Sequence, residues 1–289
     1  MEWQRNKLSI NIKNGIEGIM EKPNIIKRLN IEKISLEKMY REEDLFPREI
    51  TFCEKRDYGV LFYNEKNKDS FDSNHALIYK DKISDLGEVL VEIEGFYKAK
   101  GIMPVIYQCI LDEGYFENNK DVFSAHGFDI FSELQKYMVL VESNVILPNP
   151  EVSVCQVHKW NEVFGKEIFE KASEPWEIGV AKRAIANENT VFFVAFYNER
   201  PVGMLYAHVT DEVCRGDYLL VSKECRNMGV GRTLMHSFTE YCKANVGEIC
   251  YLWPAGDSAE KIYVEAGFRE IETKKAGRAI YKRDGLFSD

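Results

Sequence analysis

A short loop between a predicted strand and a predicted helix constrains the fold of this chain more than any other segment. Residues 215–221 have a strand-like pattern, and apolar residues recur at helical spacing from Val230 onward. Between them stands the pattern R-x-x-G-x-G, formed by Arg226, Gly229 and Gly231. Glycine lets the backbone turn tightly and approach a ligand without a Cβ atom in the way. With the helix dipole behind them, the free N–H groups of this turn predict an anion site suited to a pyrophosphate.

Two other phosphate-binding loops do not fit these residues. A Rossmann loop needs a third glycine in G-x-G-x-x-G, and none stands at that position. A Walker loop ends in G-K-[ST], whereas here G-R-T follows the wrong upstream spacing. The remaining alternative is a tight strand-to-helix turn that binds no ligand.

The loop is followed by a second motif, I-Y-V-E-A-G-F at 262–268. Strand, loop, helix, strand and this motif, in that order over about residues 152–283, resemble the GNAT superfamily of N-acetyltransferases. In that family the loop amides bind the pyrophosphate of acetyl-CoA, so the resemblance implies acetyl-CoA as co-substrate and no metal. The positions that the resemblance assigns to acetyl-CoA are Leu219, Leu220, Val221, Arg226, Asn227, Met228, Gly229, Val230, Gly231, Arg232, Thr233 and Ser258.

The resemblance also implies how the acetyl group is transferred. Tyr263 matches the family's usual general acid, which protonates the departing CoA thiolate. The backbone N–H of Leu220 or Val221 matches the donor that stabilises the oxyanion. Transfer is then expected to be direct, without an acyl-enzyme intermediate.

The general base is less constrained, because the family's base varies between members. An attacking amine must lose a proton, and a carboxylate or a water chain leading to one can accept it. Asp217 lies close before the predicted CoA strand and is the catalytic candidate, with Asp211 and Glu212 in the turn ahead of it as others. The alternative for each is a solvated turn carboxylate.

The rhythm of strands and helices predicts an α/β (mixed α+β) fold with two GNAT-like domains, each a mixed, mostly antiparallel sheet flanked by helices. The segment L-P-N-P-E at 147–151 indicates a linker, which divides the chain into 1–148 and 149–289. The halves resemble each other: Tyr97 and Tyr107 align with Tyr241 and Tyr251 at an offset of 144. A divergent duplication is the interpretation, and a last pair of strands is predicted at 268–274 and 278–282.

The first domain is predicted to be a degenerate copy with a helical N-terminal extension. Its segment 80–90 carries one glycine, Gly87, among acidic residues that would repel a pyrophosphate. Phe123 stands where the second domain has Tyr263 and has no proton to donate. We expect this domain to shape the acceptor pocket or to form an interface, and a homodimer is left open.

Composition excludes several classes of partner. With 38 basic and 47 acidic residues the formal net charge is −9, so nucleic acid is not an expected partner. The longest apolar run falls far short of the roughly 20 residues of a membrane helix, and the start lacks a signal-peptide core. The seven cysteines include no C-x-x-C, and the five histidines form no zinc-type pair. Buried structural thiols in a reducing cytoplasm are expected rather than a nucleophile or a metal site.

These observations predict an N-acetyltransferase that moves acetyl from acetyl-CoA to a primary amine of a small molecule or peptide. Aromatic residues at 160, 164 and 176 are expected either to cradle that amine or to pack in the core. The alternative is a CoA-binding sensor or scaffold without turnover. A Fem-type aminoacyl transferase fits less well, because those proteins lack the CoA loop and this acidic chain offers little to RNA.

Overall fold

The computed structural model describes residues 33–141, 146–210, 213–245 and 249–282. The strands are β1 Phe52–Arg56, β2 Gly59–Tyr63, β3 His75–Ile78, β4 Val105–Gln108, β5 Phe128–Leu140, β6 Val152–Val157, β7 Thr190–Tyr197, β8 Arg200–Val209, β9 Val213–Val221, β10 Ile249–Leu252 and β11 Phe268–Tyr281. The α-helices are α1 Lys33–Leu45, α2 Leu86–Ala99, α3 Tyr115–Asn118, α4 Lys120–Ala125, α5 Glu162–Phe164, α6 Pro175–Ala186, α7 Val230–Asn245 and α8 Asp257–Glu265. A π-helical turn, Gly165–Phe169, continues α5, and short 3₁₀ turns lie at Phe46–Glu49, Lys80–Lys82, Ile110–Asp112 and Lys223–Cys225.

All of these strands join one sheet, in the order β1-β2-β3-β4-β11-β5-β10-β9-β8-β7-β6. Its pairings are antiparallel except β3 with β4 and β9 with β10. Parallel neighbours need a crossover connection, and α2 and α7 supply the two crossovers. The predicted mixed, mostly antiparallel sheet flanked by helices is therefore confirmed.

The two halves of the chain exchange their last strands. β11 lies between β4 and β5, and β5 in turn lies between β11 and β10. β11 pairs with β5 along its whole length, with one register shift between Glu270 and Glu272. The prediction of two separate strands at 268–274 and 278–282 is wrong, because the residues between them also find partners on β5.

The order of elements repeats from one half to the other. β4 and β10 begin at Val105 and Ile249, 144 residues apart, which is the offset of the aligned tyrosines. The sheet order reads the same outward from the β11–β5 pair, apart from the additional strand β6 at one edge. The boundary at 148/149 stays a prediction, and each side of it contributes its last strand to the other half of the sheet.

The second half of the sheet is covered on both faces. Val191 and Phe193 of β7 face α7 and α8, whereas Phe192 and Val194 face the π-helical turn and α6. Both sets are buried, because side chains of a strand alternate between its two faces. None of the helices in the described part of the chain is long and apolar enough to cross a bilayer.

Candidate active site

β9 and β10 part at the residues of β9 that the resemblance assigns to acetyl-CoA. β9 pairs with β8 up to Val221, but it pairs with β10 only from Val213 to Arg215. Among the described residues, the stretch that carries Leu219, Leu220 and Val221 therefore has no strand partner on its β10 side.

The backbone groups that face this gap follow from the strand register. Ser222 N–H donates to Val202 O over 2.9 Å, so the N–H groups of Leu220 and Ser222 point toward β8. Neighbouring residues point their backbone groups the opposite way, so Leu219 and Val221 present theirs to the gap. Of the two predicted oxyanion donors, Val221 has its N–H on the open side.

The glycine loop has the conformation that its sequence indicated. After the turn Lys223–Cys225, the backbone is left-handed at Asn227 and Gly229, with φ of 64° and 78°, and α7 begins at Val230. The N–H groups of residues 227–232 donate to no other group in the described chain. Unpaired N–H groups at a helix N-terminus are those that bind an anion.

Asn149, in the segment predicted as a linker, holds this loop from the outside. Its side-chain Nδ2 donates to Met228 O over 2.8 Å, and its backbone N–H donates to Thr233 Oγ1 over 2.9 Å. Thr233 Oγ1 in turn donates to Gly229 O over 3.0 Å. The sequence reading missed Asn149, because only the fold brings the linker against a loop some 80 residues away.

The two glycines of the loop differ in whether the position could hold a larger residue. Gly229 has a positive φ, and a Cβ there would lie 3.2 Å from Asn149 Cβ. A Cβ at Gly231 would lie 3.5 Å from Ile262 Cδ1 and 3.8 Å from Val221 Cγ2, which are ordinary contacts. The Gly231 position thus faces the protein interior, and an alanine fits there.

The arginine side chains of the loop already bind other groups of the protein. Arg226 Nε donates to Val221 O over 3.3 Å, and Arg232 binds Glu265 through two hydrogen bonds of 2.6 and 2.9 Å. Val230 is buried and Met228 packs half-buried against the core, so these two can offer a ligand only backbone groups. A surface pocket lies beside the loop and is lined by Ile146, Leu147, Arg232 and Glu265.

Tyr263 lies on α8 in the core cluster that also contains Val230, with Val221 packed against that cluster. The residue is 9% exposed, and its hydroxyl has no hydrogen-bond partner in the described chain. Burial, and then the charge of Asp217, raise the pKa of Tyr263 to about 12. Ser258 is exposed in the first turn of α8, whose N-cap is Gly256.

Asp217 is not a solvated turn carboxylate. It accepts a hydrogen bond from Arg215 Nη1, and His208 Nε2 lies 3.6 Å from its Oδ2. Although burial opposes ionisation, the guanidinium of Arg215 and the imidazole of His208 hold the pKa of Asp217 well below its usual range. Such a carboxylate is a weak base, so its surroundings weigh against the predicted role, which stays untested. Asp211 and Glu212 lie outside the described residues.

Glu43 of α1 reaches the same ion cluster from the first half of the chain. Its carboxylate accepts hydrogen bonds from Arg215 Nε at 2.6 Å, Tyr251 Oη at 2.8 Å and Trp253 Nε1 at 3.0 Å. Tyr251 lies in β10 and Trp253 directly follows that strand, on the other side of the gap. The N-terminal extension, which the sequence reading left without chemistry, therefore contacts both strands that border the cleft.

The aromatic residues expected above the acceptor site are largely core. Phe164 is buried together with Phe169 and Phe192. Trp160 packs against Phe164 and Phe169 with ring centroids 6.0 and 5.8 Å apart. The side chain of Trp176 lies outside the described part of the structure.

In the first half, the N-terminus of the corresponding helix, α2, is capped by a side chain of the chain itself. Asp85 is the N-cap of α2, and its Oδ1 accepts the N–H of Glu88 over 3.1 Å. A carboxylate already occupies the place where an anion would bind. Phe123 is fully buried in the core. That this half does not bind CoA stays a prediction.

Comparison with known proteins places this geometry in a family. The sequence model of the acetyltransferase (GNAT) family matches residues 157–268. A GCN5-related N-acetyltransferase from Kribbella flavida is similar in structure, with a TM-score of 0.58 and 14% identity over 86% of this chain and 96% of that one. A functionally unknown conserved protein from Staphylococcus epidermidis ATCC 12228 is also similar, with a TM-score of 0.54 and 16% identity over 80% of this chain and 94% of that one.

A tandem GNAT protein from the clavulanic acid biosynthesis pathway gives a TM-score of 0.52 and 9% identity over 73% of this chain and 76% of that one. No curated protein matches the sequence. At these identities the structural likenesses concern the fold alone. Residues 157–268 therefore match the acetyltransferase (GNAT) family, and the structural likenesses agree with a GNAT fold.

Proposed function

We propose that this protein transfers an acetyl group from acetyl-CoA to a primary amine of a small molecule or a peptide. One arrangement carries the proposal: the unpaired N–H groups of residues 227–232 stand beside the gap between β9 and β10, with Tyr263 packed in the adjoining core cluster. An anion site, a slot for an extended chain and a proton donor are the parts that acyl transfer from a thioester of a diphosphate needs.

Donor binding would use main-chain groups almost entirely. The N–H groups at the start of α7 would bind the pyrophosphate, with the helix dipole adding to their attraction. The open edge of β9 would pair with the pantetheine amides through Leu219 and Val221, as an extended peptide pairs with a sheet edge. Asn149 would keep the loop in its binding conformation.

The chemical step would use the same strand. Attack on the thioester carbonyl creates an oxyanion, and Val221 N–H, on the open side of β9, would donate to it. Tyr263, with a pKa near 12, stays protonated at neutral pH and can donate to the leaving sulfur. A free thiol has a pKa of about 8.5, so a phenol this weak stabilises the thiolate chiefly by hydrogen bonding, and a full proton transfer runs uphill.

The acceptor must arrive as a neutral amine, although a free alkylammonium has a pKa of about 10.4. Asp217 stays the candidate base from the sequence, and its ion pair with Arg215 makes it a weak one. Proton removal through water from the cleft is the route compatible with that pair.

A CoA-binding sensor is the second candidate, and the paired state of Asp217 is the observation that favours it. A screen of thiol release separates the two: acetyl-CoA is mixed with amines, amino acids, polyamines or aminoglycosides, and the free CoA thiol is measured. Turnover with any acceptor supports the transferase. Tight acetyl-CoA binding without turnover across the screen supports the sensor.

The cytoplasmic location and the partners expected from the sequence are part of this proposal. All seven cysteines are free thiols, which fits a reducing cytoplasm. Nucleic acid and membrane are not proposed as partners, and a homodimer stays a prediction for size measurements in solution.

A further inference from the structure

Three cysteines that are scattered in the sequence meet inside the second half of the molecule. The Sγ atoms of Cys214 on β9, Cys242 on α7 and Cys250 on β10 all lie within 4.8 Å of one another. Cys242 Sγ is 3.0 Å from Cys250 Sγ and 3.9 Å from Cys214 Sγ. The sequence has no C-x-x-C spacing that would indicate this cluster, so these thiols were expected to be separate structural residues.

The two sulfur–sulfur distances from Cys242, 3.0 and 3.9 Å, are short enough for ligands that share one ion. Metal–thiolate bonds of about 2.3 Å place the sulfurs of one centre within about 4 Å of each other. No other histidine, cysteine or carboxylate of the described residues lies within this group. The site therefore offers three sulfur ligands and no fourth, so it fits a three-coordinate thiophilic centre better than tetrahedral zinc.

Charge balance narrows the choice of centre. The three thiols are buried and belong to a cluster of apolar side chains, among them Met235 and Phe238. Three thiolates around a monovalent or divalent ion would bury a net charge of −2 or −1, and an uncompensated buried charge is costly. The nearby cation Arg215 is already paired with Glu43 and Asp217.

We propose that Cys214, Cys242 and Cys250 form a binding site for a trivalent thiophilic metalloid, with arsenic(III) as the probe. Three thiolates around a trivalent centre are neutral, which suits an apolar core. Arsenous acid, the form present at neutral pH, is itself small and uncharged, so it can reach buried thiols without first losing an ionic hydration shell.

The binding step is balanced without an oxidant or reductant. Arsenous acid, As(OH)₃, reacts with three thiols; three As–OH and three S–H bonds break, three As–S bonds form, and three waters leave. Arsenic remains trivalent and each sulfur keeps its oxidation state. The product joins α7 to β9 and β10 below the point where these strands part. Binding is therefore expected to raise the melting temperature as well.

The test is native mass spectrometry of the reduced, full-length protein titrated with sodium arsenite. We expect one arsenic per chain, accompanied by the loss of three protons, and a higher Tm on the same samples. The variants Cys214→Ala and Cys242→Ala keep an apolar side chain of similar size and should lose most of the arsenic at low arsenite. Cys225→Ala, at a half-buried thiol outside the cluster, is the matched control and should bind as the unmodified protein does.

The number of protons lost per bound arsenic is measured on the protein without substitutions. This part of the test therefore does not depend on whether the variants fold. Loss of fewer than three protons per arsenic, or equal binding by the Cys214→Ala variant, would overturn the proposal. So would tighter binding of Zn²⁺ or Cd²⁺ than of arsenite at these cysteines, which would remove the charge argument. A Cys242–Cys250 disulfide in freshly purified protein kept under reducing conditions would also defeat it. None of these readings depends on acetyl transfer.

Discussion

Glu43 and Arg215, 172 residues apart in the sequence, form a buried ion pair with 2.6 Å between Oε2 and Nε. Their side chains are 9% and 7% exposed. The pair ties the helix that precedes the first strand to the strand that borders the cleft, so the shape of the candidate acceptor end depends on both halves of the chain.

Replacing Glu43 by glutamine should destabilise the protein strongly. Arg215 would keep only Asp217 as a charged partner, and breaking a buried ion pair costs about 3–5 kcal/mol. The neighbouring change Glu42→Gln is the control, because Glu42 pairs with the more exposed Arg48 and such pairs contribute about 0–1 kcal/mol. Urea unfolding of both variants measures the difference, and equal losses would show that the buried pair has no special weight.

Asp217 should make the protein sensitive to acid. Because its folded-state pKa lies below the unfolded value of about 3.9, its stabilising contribution is fully present above about pH 4 and is lost as the pH falls through the folded-state pKa. Asp217→Asn should be less stable at pH 7 and should lose less further stability between about pH 5 and 2. Thermal unfolding across that range checks this; parallel curves for the two proteins would contradict it.

The loop glycines should respond differently to alanine. Gly229→Ala forces a left-handed residue and a close approach to Asn149, a strain on the order of 1–2 kcal/mol, so acetyl-CoA affinity should fall about tenfold. Gly231→Ala meets only ordinary contacts and should bind nearly as before. Calorimetry compares them, and an equal loss in both would mean that the ligand approaches Gly231 itself.

Removing the Asn149 side chain should loosen the loop without altering the cleft. Asn149→Ala deletes the hydrogen bond to Met228 O, and one such bond contributes about 0.5–1.5 kcal/mol. Acetyl-CoA should bind a few-fold more weakly, and hydrogen exchange at residues 227–232 should quicken. Asn119→Ala, which removes a side-chain bond remote from the loop, should change neither. Unchanged exchange in Asn149→Ala would show that the loop holds its own shape.

Tyr263→Phe should lower kcat while acetyl-CoA binding changes little, because the hydroxyl makes no hydrogen bond in the described protein and its proposed partner is the leaving sulfur. With a pKa near 12, Tyr263 should cause no loss of rate on its own account below about pH 11. Tyr241→Phe, on the far part of α7, is the control for removing a phenolic oxygen. A kcat in Tyr263→Phe equal to that of the control would move the acid elsewhere.

Local patterns predicted the local parts of this molecule. The loop from Arg226 to Gly231, the helix from Val230 and the strands around them follow from glycine chemistry and apolar spacing, and the structure has them where expected. The family followed because two such local motifs, the loop and 262–268, stand in a fixed order.

The parts that were missed depend on contacts between distant segments. Nothing near Asn149 indicates that it will bond Met228, and nothing near Glu43 indicates Arg215. The exchange of β5 and β11 is equally invisible, since either strand would satisfy its alternating pattern in its own half. Asp217 is largely buried in an ion pair with Arg215 rather than exposed in a turn, and the burial of a residue depends on the assembled fold.

The crossing of the final strands has a consequence for how such a gene can change. The last strand of the first half lies beside β10, next to the cleft, so the half that carries the glycine loop is completed by a strand of the other half. Deleting either half would leave an unpaired sheet edge in the half that remains, and the two are therefore expected to be kept or lost together.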